Sequence, residues 1–320
     1  MSAPEATAVI AQTCAICGEE LNSGEGRLFD TRFGVDAFFG ISRCPRCNLE
    51  QTVPKPSAAA LTQLYESYYN FGGEKGTRYT RFREWFLLSP LYQAWLSIDG
   101  DISFHQCKGH GRLLDVGCNE GRGLQIYKAH GYSAEGLEFN TEAANVARAK
   151  GFQIHAGDLS DFQPTSPYDV VILSNVLEHA LDPGAMIRDI RKILSPKGQL
   201  WISCPNNRSW LRHLFGRFWI NWHVPFHIVH FSRHTLTALM KKNGFEVLRI
   251  RNETPALWFT QSLIARIFAQ PQHPTRQLRS ILYVLPTMIL ARCLLFPFFF
   301  IANQTGHGDC MVLFAEKREF

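Results

Sequence analysis

The chain has 320 residues, and a hydrophobic content of 46% with 19% charged residues excludes a disordered polypeptide. Nine cysteines are too few for a disulfide scaffold of this length, and residues 1–12 lack the pattern of a signal peptide, so a cytoplasmic location is expected. The net charge of +5 is uneven, because residues 190–308 hold 15 Lys or Arg against two acids, which predicts an anionic partner such as a lipid surface.

Two Cys-x-x-Cys pairs mark the N-terminal segment, residues 1–53. Cys14 and Cys17 form the first pair, and Cys44 and Cys47 form the second. Each pair can supply two thiolates from one tight turn, and four thiolates complete the tetrahedral coordination of a zinc ion. We therefore expect a small zinc ribbon, whose structural zinc replaces the core that so short a segment cannot build.

Residues 54–110 are predicted to form a helical linker. Pro54 and Pro56 end the cysteine segment, and residues 57–69 and 79–98 have patterns typical of helices. The second helix carries several aromatic residues, which we expect to pack in the core rather than to bind a ligand.

Residues 111–252 alternate between short apolar runs and amphipathic segments, which predicts an α/β domain with a parallel sheet and right-handed crossovers. The predicted strands are Leu113–Val116, Ser133–Leu137, Gln153–Ala156, Tyr168–Leu173, Gln199–Ser203, Phe245–Arg251 and, within the C-terminal segment 310–320, Met311–Lys317. The predicted helices are Gly121–Ala129, Thr141–Lys150, Pro183–Leu194 and Thr235–Asn243.

A glycine-rich turn follows the first of these strands, in the sequence LLDVGCNEGRGL (Leu113–Leu124). A strand that ends in an acid, followed by a glycine turn that opens a helix, lets the backbone approach a nucleotide-like ligand closely. Glu138 lies about 20 residues further on, at the end of the second strand, where its carboxylate can accept hydrogen bonds from two ribose hydroxyls. Asp158 is a further acid after the third strand.

These motifs resemble those of the class I S-adenosylmethionine-dependent methyltransferases. The matching residues are DVGC (Asp115–Cys118), GLE (Gly136–Glu138), GDL (Gly157–Leu159), YDVVILSNVLEH (Tyr168–His179) and LSPKGQLWISCPN (Leu194–Asn206). The resemblance implies a Rossmann-like seven-stranded sheet with helices on both faces, and S-adenosylmethionine as the cofactor. It implies a cofactor site formed by Asp115, Gly117, Cys118, Asn119, Gly121, Glu138, Phe139, Asp158, Leu159, Ser174 and Asn175.

The same resemblance assigns parts of the cofactor to these residues. The expected contacts are Asp115, Ser174 and Asn175 with the methionine part, Glu138 with the ribose, and Asp158 and Leu159 with the adenine. Asn119 replaces the family's usual middle glycine, and because Asn tolerates a positive φ we expect the loop to be preserved. A dinucleotide dehydrogenase is disfavoured, since Asp115 would repel a pyrophosphate.

Candidate bases are expected at the carboxyl ends of the strands, facing the cofactor. His179 follows the fourth strand, and WHVPFHIVHFS (Trp222–Ser232) follows the fifth and resembles a stretch that borders the acceptor pocket in polysaccharide- and sugar-modifying methyltransferases. We predict His227 as the first candidate base and His179 as the second, with His223, His227 and His230 gathered on one side of a helical turn. The Glu-x-x-Glu-His metal motif of some quinone and small-RNA methyltransferases is incomplete, because Asn175 replaces its first carboxylate.

Residues 253–309 form a long apolar and basic insertion before the last strand. Ile281–Ala302 contains one charged residue, Arg292, and as a straight helix would measure about 33 Å, enough to cross a bilayer. A single crossing is excluded because the final strand must return to the same sheet. Since Pro286 and Pro297 break the helix, we predict a helical hairpin in one membrane leaflet, with a soluble lid or a dimer interface as the alternatives. The residues expected at the headgroup level are Arg266, Arg276, Arg279, Arg292, Trp258, Phe259 and Tyr283.

Together these features predict an S-adenosylmethionine-dependent methyltransferase with a structural zinc ion. The expected reaction is O-methylation, or less readily C-methylation, of a sugar on a glycan or lipid-linked precursor, at a peripheral position on the anionic inner face of the membrane. The alternatives are an RNA methyltransferase, a quinone or lipid O-methyltransferase, and a non-catalytic zinc adaptor. A nucleic acid partner is disfavoured because the insertion is too apolar for such a surface. The sequence does not predict an oligomeric state.

Overall fold

The computed structural model describes residues 12–22, 24–68, 85–273, 275 and 281–319. Its larger sheet is formed by β4 (Arg112–Val116), β5 (Ser133–Glu138), β6 (Ile154–Ala156), β7 (Tyr168–Ser174), β8 (Leu194–Pro205), β10 (Phe245–Glu253) and β11 (Cys310–Lys317). The strand order is β10-β11-β8-β7-β4-β5-β6, and β11 runs antiparallel to both of its neighbours. The predicted seven-stranded α/β sheet is confirmed.

The central strands of this sheet are apolar along their length because both of their faces are covered. Ile172 of β7 and Leu200 and Ile202 of β8 are completely buried. Parallel strands that are covered by helices on both faces carry near-continuous apolar runs of this kind. The strands β7, β4 and β5 are neighbours in the sheet and run parallel. Their carboxyl ends lie side by side at one edge of the core, where they open onto a cavity.

Seven helices precede the insertion within the described ranges: α1 (Ala58–Tyr68), α2 (Pro90–Asp99), α3 (Arg122–Ala129), α4 (Thr141–Ala149), α5 (Pro183–Ile193), α6 (Trp210–Phe215) and α7 (Arg233–Lys242). Several begin at side-chain caps that the sequence supplies. Asn140 accepts a hydrogen bond from the Ala143 backbone at the start of α4, and Asp182 does the same for Ala185 at the start of α5.

The predicted continuous helix over residues 79–98 is wrong where the structure describes it. A helical turn ends near Leu88, and α2 starts afresh after Ser89, whose side chain caps the new helix and whose successor is Pro90. Proline is favoured in the first turn of a helix and disfavoured further along, which explains the restart. Residues 69–84, which include the rest of the prediction, lie outside the described residues.

The N-terminal segment forms a second, smaller sheet that the sequence did not predict in this form. Its strands are β1 (Glu25–Phe29), β2 (Phe38–Arg43), β3 (Glu50–Val53) and the short β9 (Val229–His230). Because β9 pairs with β3, the small sheet is completed by residues that follow the fifth strand of the large sheet. Leu21 and Leu49 of the N-terminal segment share one apolar cluster with Leu236 and Phe245.

The insertion contains three helices: α8 (Ala256–Phe268), α9 (Ile281–Leu294) and α10 (Phe296–Gln304). Pro286 lies inside α9 rather than ending it, so the predicted break there is wrong. The chain bends by 69° between α9 and α10, just before Pro297. Within the described residues, no single helix is long and apolar enough to cross a membrane, although this bent pair passes the test of length and composition.

Candidate active site

The loop between β4 and α3 adopts the conformation that its glycines predict. Gly117, Asn119 and Gly121 have φ angles of 73°, 51° and 75°. The left-handed region costs little for glycine and is tolerated by Asn, so Asn119 maintains the turn in place of a glycine. A Cβ atom at Gly117 would lie 2.9 Å from the Val176 side chain, so the close approach of the two chain segments requires glycine there.

Glu138 ends β5 and fixes this loop from beneath. Its Oε2 accepts a hydrogen bond from the Asn119 backbone N–H at 2.8 Å, and its Oε1 accepts one from the Asn140 N–H, also at 2.8 Å. Burial raises the pKa of Glu138 above its usual value, although the two hydrogen bonds oppose the shift. Each carboxylate oxygen can accept more than one hydrogen bond, so Glu138 can hold the loop and also bind a ligand.

A cavity of about 1060 Å³ opens at these strand ends. Eight of the predicted cofactor residues line it: Gly117, Asn119, Glu138, Phe139, Asp158, Leu159, Ser174 and Asn175. Asn175 has a buried side-chain oxygen without a hydrogen-bond partner in the described part of the chain. Because ligand pockets typically measure about 300–1,000 Å³, the cavity has room for a nucleoside-sized ligand. Glu138, the glycine-rich loop and the unpaired side-chain oxygen of Asn175 fit S-adenosylmethionine as a ligand.

Three predicted cofactor residues lie behind the cavity wall instead of lining it. Asp115 is buried beneath the loop, and burial followed by the nearby Glu138 charge raises its pKa to about 8. The Cys118 sulfur packs over Gly136, where an added Cβ would lie only 2.4 Å away. The missing Cβ of Gly121 leaves space for Phe152. These three residues shape the loop but are not among the residues that line the cavity.

Glu178, His179 and His227 form a cluster that lines the same cavity. His227 Nδ1 lies 2.8 Å from the Asn221 main-chain oxygen, which can only accept, so Nδ1 carries the proton and Nε2 presents its lone pair. Nε2 lies 4.0 Å from Glu178 Oε1. Burial, followed by the neighbouring His179, holds the pKa of His227 well below its usual value, so its imidazole is neutral at physiological pH.

Glu178 is almost completely buried, and neither of its carboxylate oxygens has a hydrogen-bond partner among the described residues. Burial raises its pKa to about 8. His179 contacts the Tyr65 hydroxyl through Nδ1 at 2.8 Å, and burial followed by the Arg32 charge lowers its pKa to about 4. The His179 and His227 rings meet edge to face, with centroids 4.7 Å apart.

The same three side chains could hold a metal ion, since one ligand atom from each lies within 4.8 Å of the others. A carboxylate and two imidazoles form a donor set that suits several divalent transition metals. Asn175, at the position of the missing carboxylate, lines the same cavity. The cluster thus supports either proton transfer or metal binding by these residues.

The predicted gathering of three histidines on one helical turn holds for two of them. Residues 223–227 form a turn in which the His227 N–H donates to the His223 main-chain oxygen at 3.0 Å, and the centroids of the two rings are 4.9 Å apart. The chain then enters β9, which carries His230. His230 consequently points to the small sheet, where its Nε2 lies 3.0 Å from the Thr52 hydroxyl. His223 has a φ of 37° and stacks on Phe226. Of the three, His227 alone lines the cavity.

The small sheet fixes the segment that carries His227. The Thr52 hydroxyl donates to the His227 main-chain oxygen at 2.7 Å, and the Thr52 N–H donates to the Ile228 oxygen at 2.9 Å. On the opposite side, the Ile228 N–H donates to the Glu178 main-chain oxygen at 2.9 Å. Main-chain hydrogen bonds on both sides therefore set the separation of Glu178 and His227.

Buried Asp309 fixes the other end of this segment. Its carboxylate accepts hydrogen bonds from Ser209 Oγ at 2.6 Å, Trp219 Nε1 at 2.7 Å and Asn221 Nδ2 at 3.0 Å. Burial raises its pKa to about 6 against the effect of those donors. The main-chain oxygen of Asn221 sets the tautomer of His227, and Asp309 holds the Asn221 side chain. Asp309 therefore contributes indirectly to the orientation of His227 Nε2.

Several cavity residues escaped the sequence prediction. Arg32 and Tyr65 come from the N-terminal segments, and Trp258 and Gln261 come from α8. No sequence motif links these distant positions to the glycine loop. Asn221 is different, because a polar residue in an otherwise aromatic run beside the predicted base was a usable signal.

The four predicted zinc ligands converge. The Sγ–Sγ distances are 3.4 Å for Cys14–Cys47, 3.5 Å for Cys17–Cys44 and 3.7 Å for Cys17–Cys47. A tetrahedron with zinc–sulfur bonds of about 2.3 Å has edges of about 3.8 Å, so the thiol cluster fits a zinc ion closely. The Cys47 backbone N–H lies 3.4 Å from Cys44 Sγ, as expected for a tight turn that supports a thiolate.

Comparison with known proteins agrees with this geometry. Residues 96–250 match the model of a family described as "Methyltransferase domain". A ubiquinone biosynthesis O-methyltransferase of Erwinia tasmaniensis is 28% identical over 43% of this chain and 59% of the relative. Its counterpart in Aeromonas salmonicida is 27% identical over 56% of this chain and 74% of the relative. This chain thus spans less than two thirds of the first of these relatives.

A solved structure titled as the [4+2]-cyclase SpnF superimposes with a TM-score of 0.50 at 16% identity, covering 83% of this chain and 98% of that chain. At that identity the likeness concerns the fold alone, and a fold does not determine the reaction. Residues 96–250, just under half of the chain, match a methyltransferase domain, and this match indicates an S-adenosylmethionine-dependent methyltransferase.

Proposed function

We propose that the protein is an S-adenosylmethionine-dependent O-methyltransferase in which His227 removes the proton of the acceptor hydroxyl. The observation that carries the proposal is the orientation of His227, whose Nδ1 is committed to the Asn221 oxygen while Nε2 faces the cavity near Glu178. When bound, S-adenosylmethionine supplies an electrophilic methyl group on a sulfonium ion. Glu138, Asp158 and Asn175, which line the same cavity, would hold it.

Methyl transfer of this kind is an in-line displacement, so alignment of the acceptor is the main requirement. The acceptor oxygen forms a bond to the methyl carbon as the sulfur–carbon bond breaks, and the hydroxyl proton passes to His227 Nε2. Glu178 Oε1 lies 4.0 Å from that nitrogen, so the imidazolium N–H that results faces a carboxyl oxygen. Glu178 and His227 are themselves buried in the wall of the cavity.

For the acceptor we propose a sugar hydroxyl of a glycan or a lipid-linked precursor. The acceptor end of the cavity combines polar groups with aromatic rings, including Arg32, Glu66, Gln261, Tyr65 and Trp258. Sugars present hydroxyls at their edges and C–H groups on their faces, so a lining of this mixed character suits them.

A phenolic or quinone-type ring is the second candidate acceptor. It is favoured by the apolar contribution of Leu61, Met186 and Leu257 to the cavity wall and by the names of the curated relatives. A phenol is more acidic than a sugar hydroxyl, so it would depend less on His227 as a base.

The experiment compares products. The full chain is incubated with S-adenosylmethionine carrying a labelled methyl group and with separated glycan, glycolipid and quinone fractions, and products are identified by mass spectrometry. We expect the wild-type chain to add one CH2 unit to a sugar. The His227→Gln variant should not form this product, whereas the control His213→Gln, which changes an exposed histidine of α6, should form it. Label in the quinone fraction alone would select the second acceptor, and label on carbon or nitrogen would refute O-methylation.

A further inference from the structure

The pair of helices α9 and α10, called here the apolar hairpin, exposes an unusual amount of apolar surface. Its exposed large side chains are Tyr283, Leu285, Ile289, Leu290, Leu294, Phe296, Phe300 and Ile301. Tyr283 is 74% exposed and Leu294 is 69% exposed. A contiguous apolar surface of this kind marks a site of interaction, because water is an unfavourable neighbour for it.

The geometry of the hairpin is compatible with contact with a membrane from one side. Its helices have 14 and 9 residues, which correspond to about 21 and 14 Å, and each is shorter than the roughly 30 Å hydrocarbon core. The 69° bend and the return of the chain into β11, between β10 and β8, keep both ends on the same side. The hairpin can therefore lie in the interface or dip into one leaflet.

A cationic cavity of about 530 Å³ adjoins this surface, and Phe296 and Phe300 of the hairpin form part of its wall. Its charged lining consists of Arg233, Arg249, Arg251, Arg292 and Glu253. Positive charge at the edge of an apolar surface complements an anionic lipid headgroup.

Two of these arginines are available for a ligand. Arg233 and Arg249 are exposed, and neither has an ion-pair or hydrogen-bond partner among the described residues. Arg251 is committed to Glu253 at 2.6 Å. Arg292 lies 3.7 Å from Asp99 and is buried, so the expectation that it sits at the headgroup level is wrong.

We propose that the apolar hairpin docks onto the surface of a bilayer that contains anionic phospholipid, with Arg233 and Arg249 binding headgroup phosphates. The sequence from residue 254 to residue 308 contains no acid that would oppose such a surface. A second copy of the chain is a poorer occupant, because a symmetric interface would bring the two cationic cavities together. A lipid surface satisfies both the apolar side chains and the charges beside them.

Docking at this face has a consequence for the active site. Leu257, Trp258 and Gln261 of α8 line the active-site cavity, and α8 packs against α9. The helix α8 thus connects one wall of that cavity to the apolar hairpin. If the proposed function holds, the acceptor is an amphiphile that reaches the cavity from the bilayer, but docking itself does not depend on the reaction.

The test is flotation of the full chain with vesicles, which needs no enzymatic activity. We expect binding to phosphatidylcholine vesicles that contain about one quarter phosphatidylserine. The variant Leu290→Glu/Phe300→Glu should weaken binding at least about tenfold, whereas the control Leu91→Glu, which changes a 64% exposed leucine of α2, should bind as the wild type does. Arg233→Gln/Arg249→Gln should lose about fivefold per arginine on anionic vesicles and nothing on pure phosphatidylcholine.

The proposal is overturned if the wild-type chain does not float, or if the Leu290/Phe300 variant floats like the wild type. A wild-type dimer that the same variant dissociates, without vesicle binding, would assign the face to a second copy. Unfolding is not expected because both side chains are already solvent-exposed, and melting curves check this. If that variant unfolds, the Arg233→Gln/Arg249→Gln variant still tests the proposal. Equal binding of the wild-type chain to anionic and neutral vesicles would contradict the headgroup assignment.

Discussion

Replacing Glu138 by Gln should weaken S-adenosylmethionine binding strongly. The carboxylate accepts backbone hydrogen bonds from Asn119 and Asn140 at 2.8 Å each, and it lines the cavity where ribose hydroxyls would lie. The amide keeps one accepting oxygen, but its NH2 group cannot accept from the other N–H. A ribose hydroxyl would at the same time lose its charged acceptor, and loss of one charge-assisted hydrogen bond to the ligand costs about 1.5–3 kcal/mol, which corresponds to a Kd increase of about 10- to 150-fold.

Isothermal titration calorimetry of the full chain measures this effect directly. The matched control is Glu120→Gln, in the same loop but outside the cavity lining, where the carboxylate pairs with exposed Arg122 at 3.0 Å. We expect the control to change Kd less than about threefold, because the Glu120 carboxylate faces Arg122 and does not line the cavity. If Glu138→Gln binds with the wild-type affinity, the assignment of Glu138 to the cofactor is refuted.

Three further perturbations address the base, the thiol cluster and the buried aspartate. His227→Gln should lower kcat by about 10²- to 10⁴-fold while the Kd for S-adenosylmethionine stays nearly unchanged, as single-turnover kinetics and calorimetry would establish. Cys44→Ser should reduce the zinc content, measured by atomic emission, from about one ion per chain and lower the melting temperature. Asp309→Ala should reduce the free energy of unfolding in urea by about 3–5 kcal/mol, because three buried donors lose their acceptor.

Each of these expectations can fail in a distinct way. A His227→Gln enzyme with wild-type kcat would exclude His227 as the base. Full zinc occupancy in Cys44→Ser would show that the metal does not require that thiolate. An Asp309→Ala protein as stable as the wild type would mean that Ser209, Trp219 and Asn221 find other partners.

The sheet and the glycine loop were predictable because their signals are local. Each strand is an apolar run bounded by polar or turn residues, and the positive φ of Asn119 follows from the chemistry of its side chain. Burial of Asp115 and Cys118 was not predictable in the same way, since the motif gives their order along the chain but not which side faces the ligand. Only packing against Gly136 reveals the direction of Cys118.

The histidine segment shows a different limit. The spacing of His223, His227 and His230 suits a helical turn, and a turn does bring His223 to His227, but the chain enters β9 before it reaches His230. The pairing of β9 with β3 had no usable signal, because a two-residue strand is too short for a hydrophobic period. Likewise, no sequence rule links Arg292 to Asp99, which is almost two hundred residues away.

Because β3 pairs with β9, the small sheet holds both the cysteine-bearing segment and His227, the proposed base. Thr52 lies between them and bonds to the His227 main chain, so loosening the thiol cluster would shift the imidazole without touching the glycine loop. A shortened chain that keeps the large sheet but lacks the cysteine-bearing segment could retain the nucleoside pocket and still have no methyltransferase activity. Grafting another cysteine ribbon onto this enzyme would fail for the same reason, unless the graft also supplied a matching edge strand.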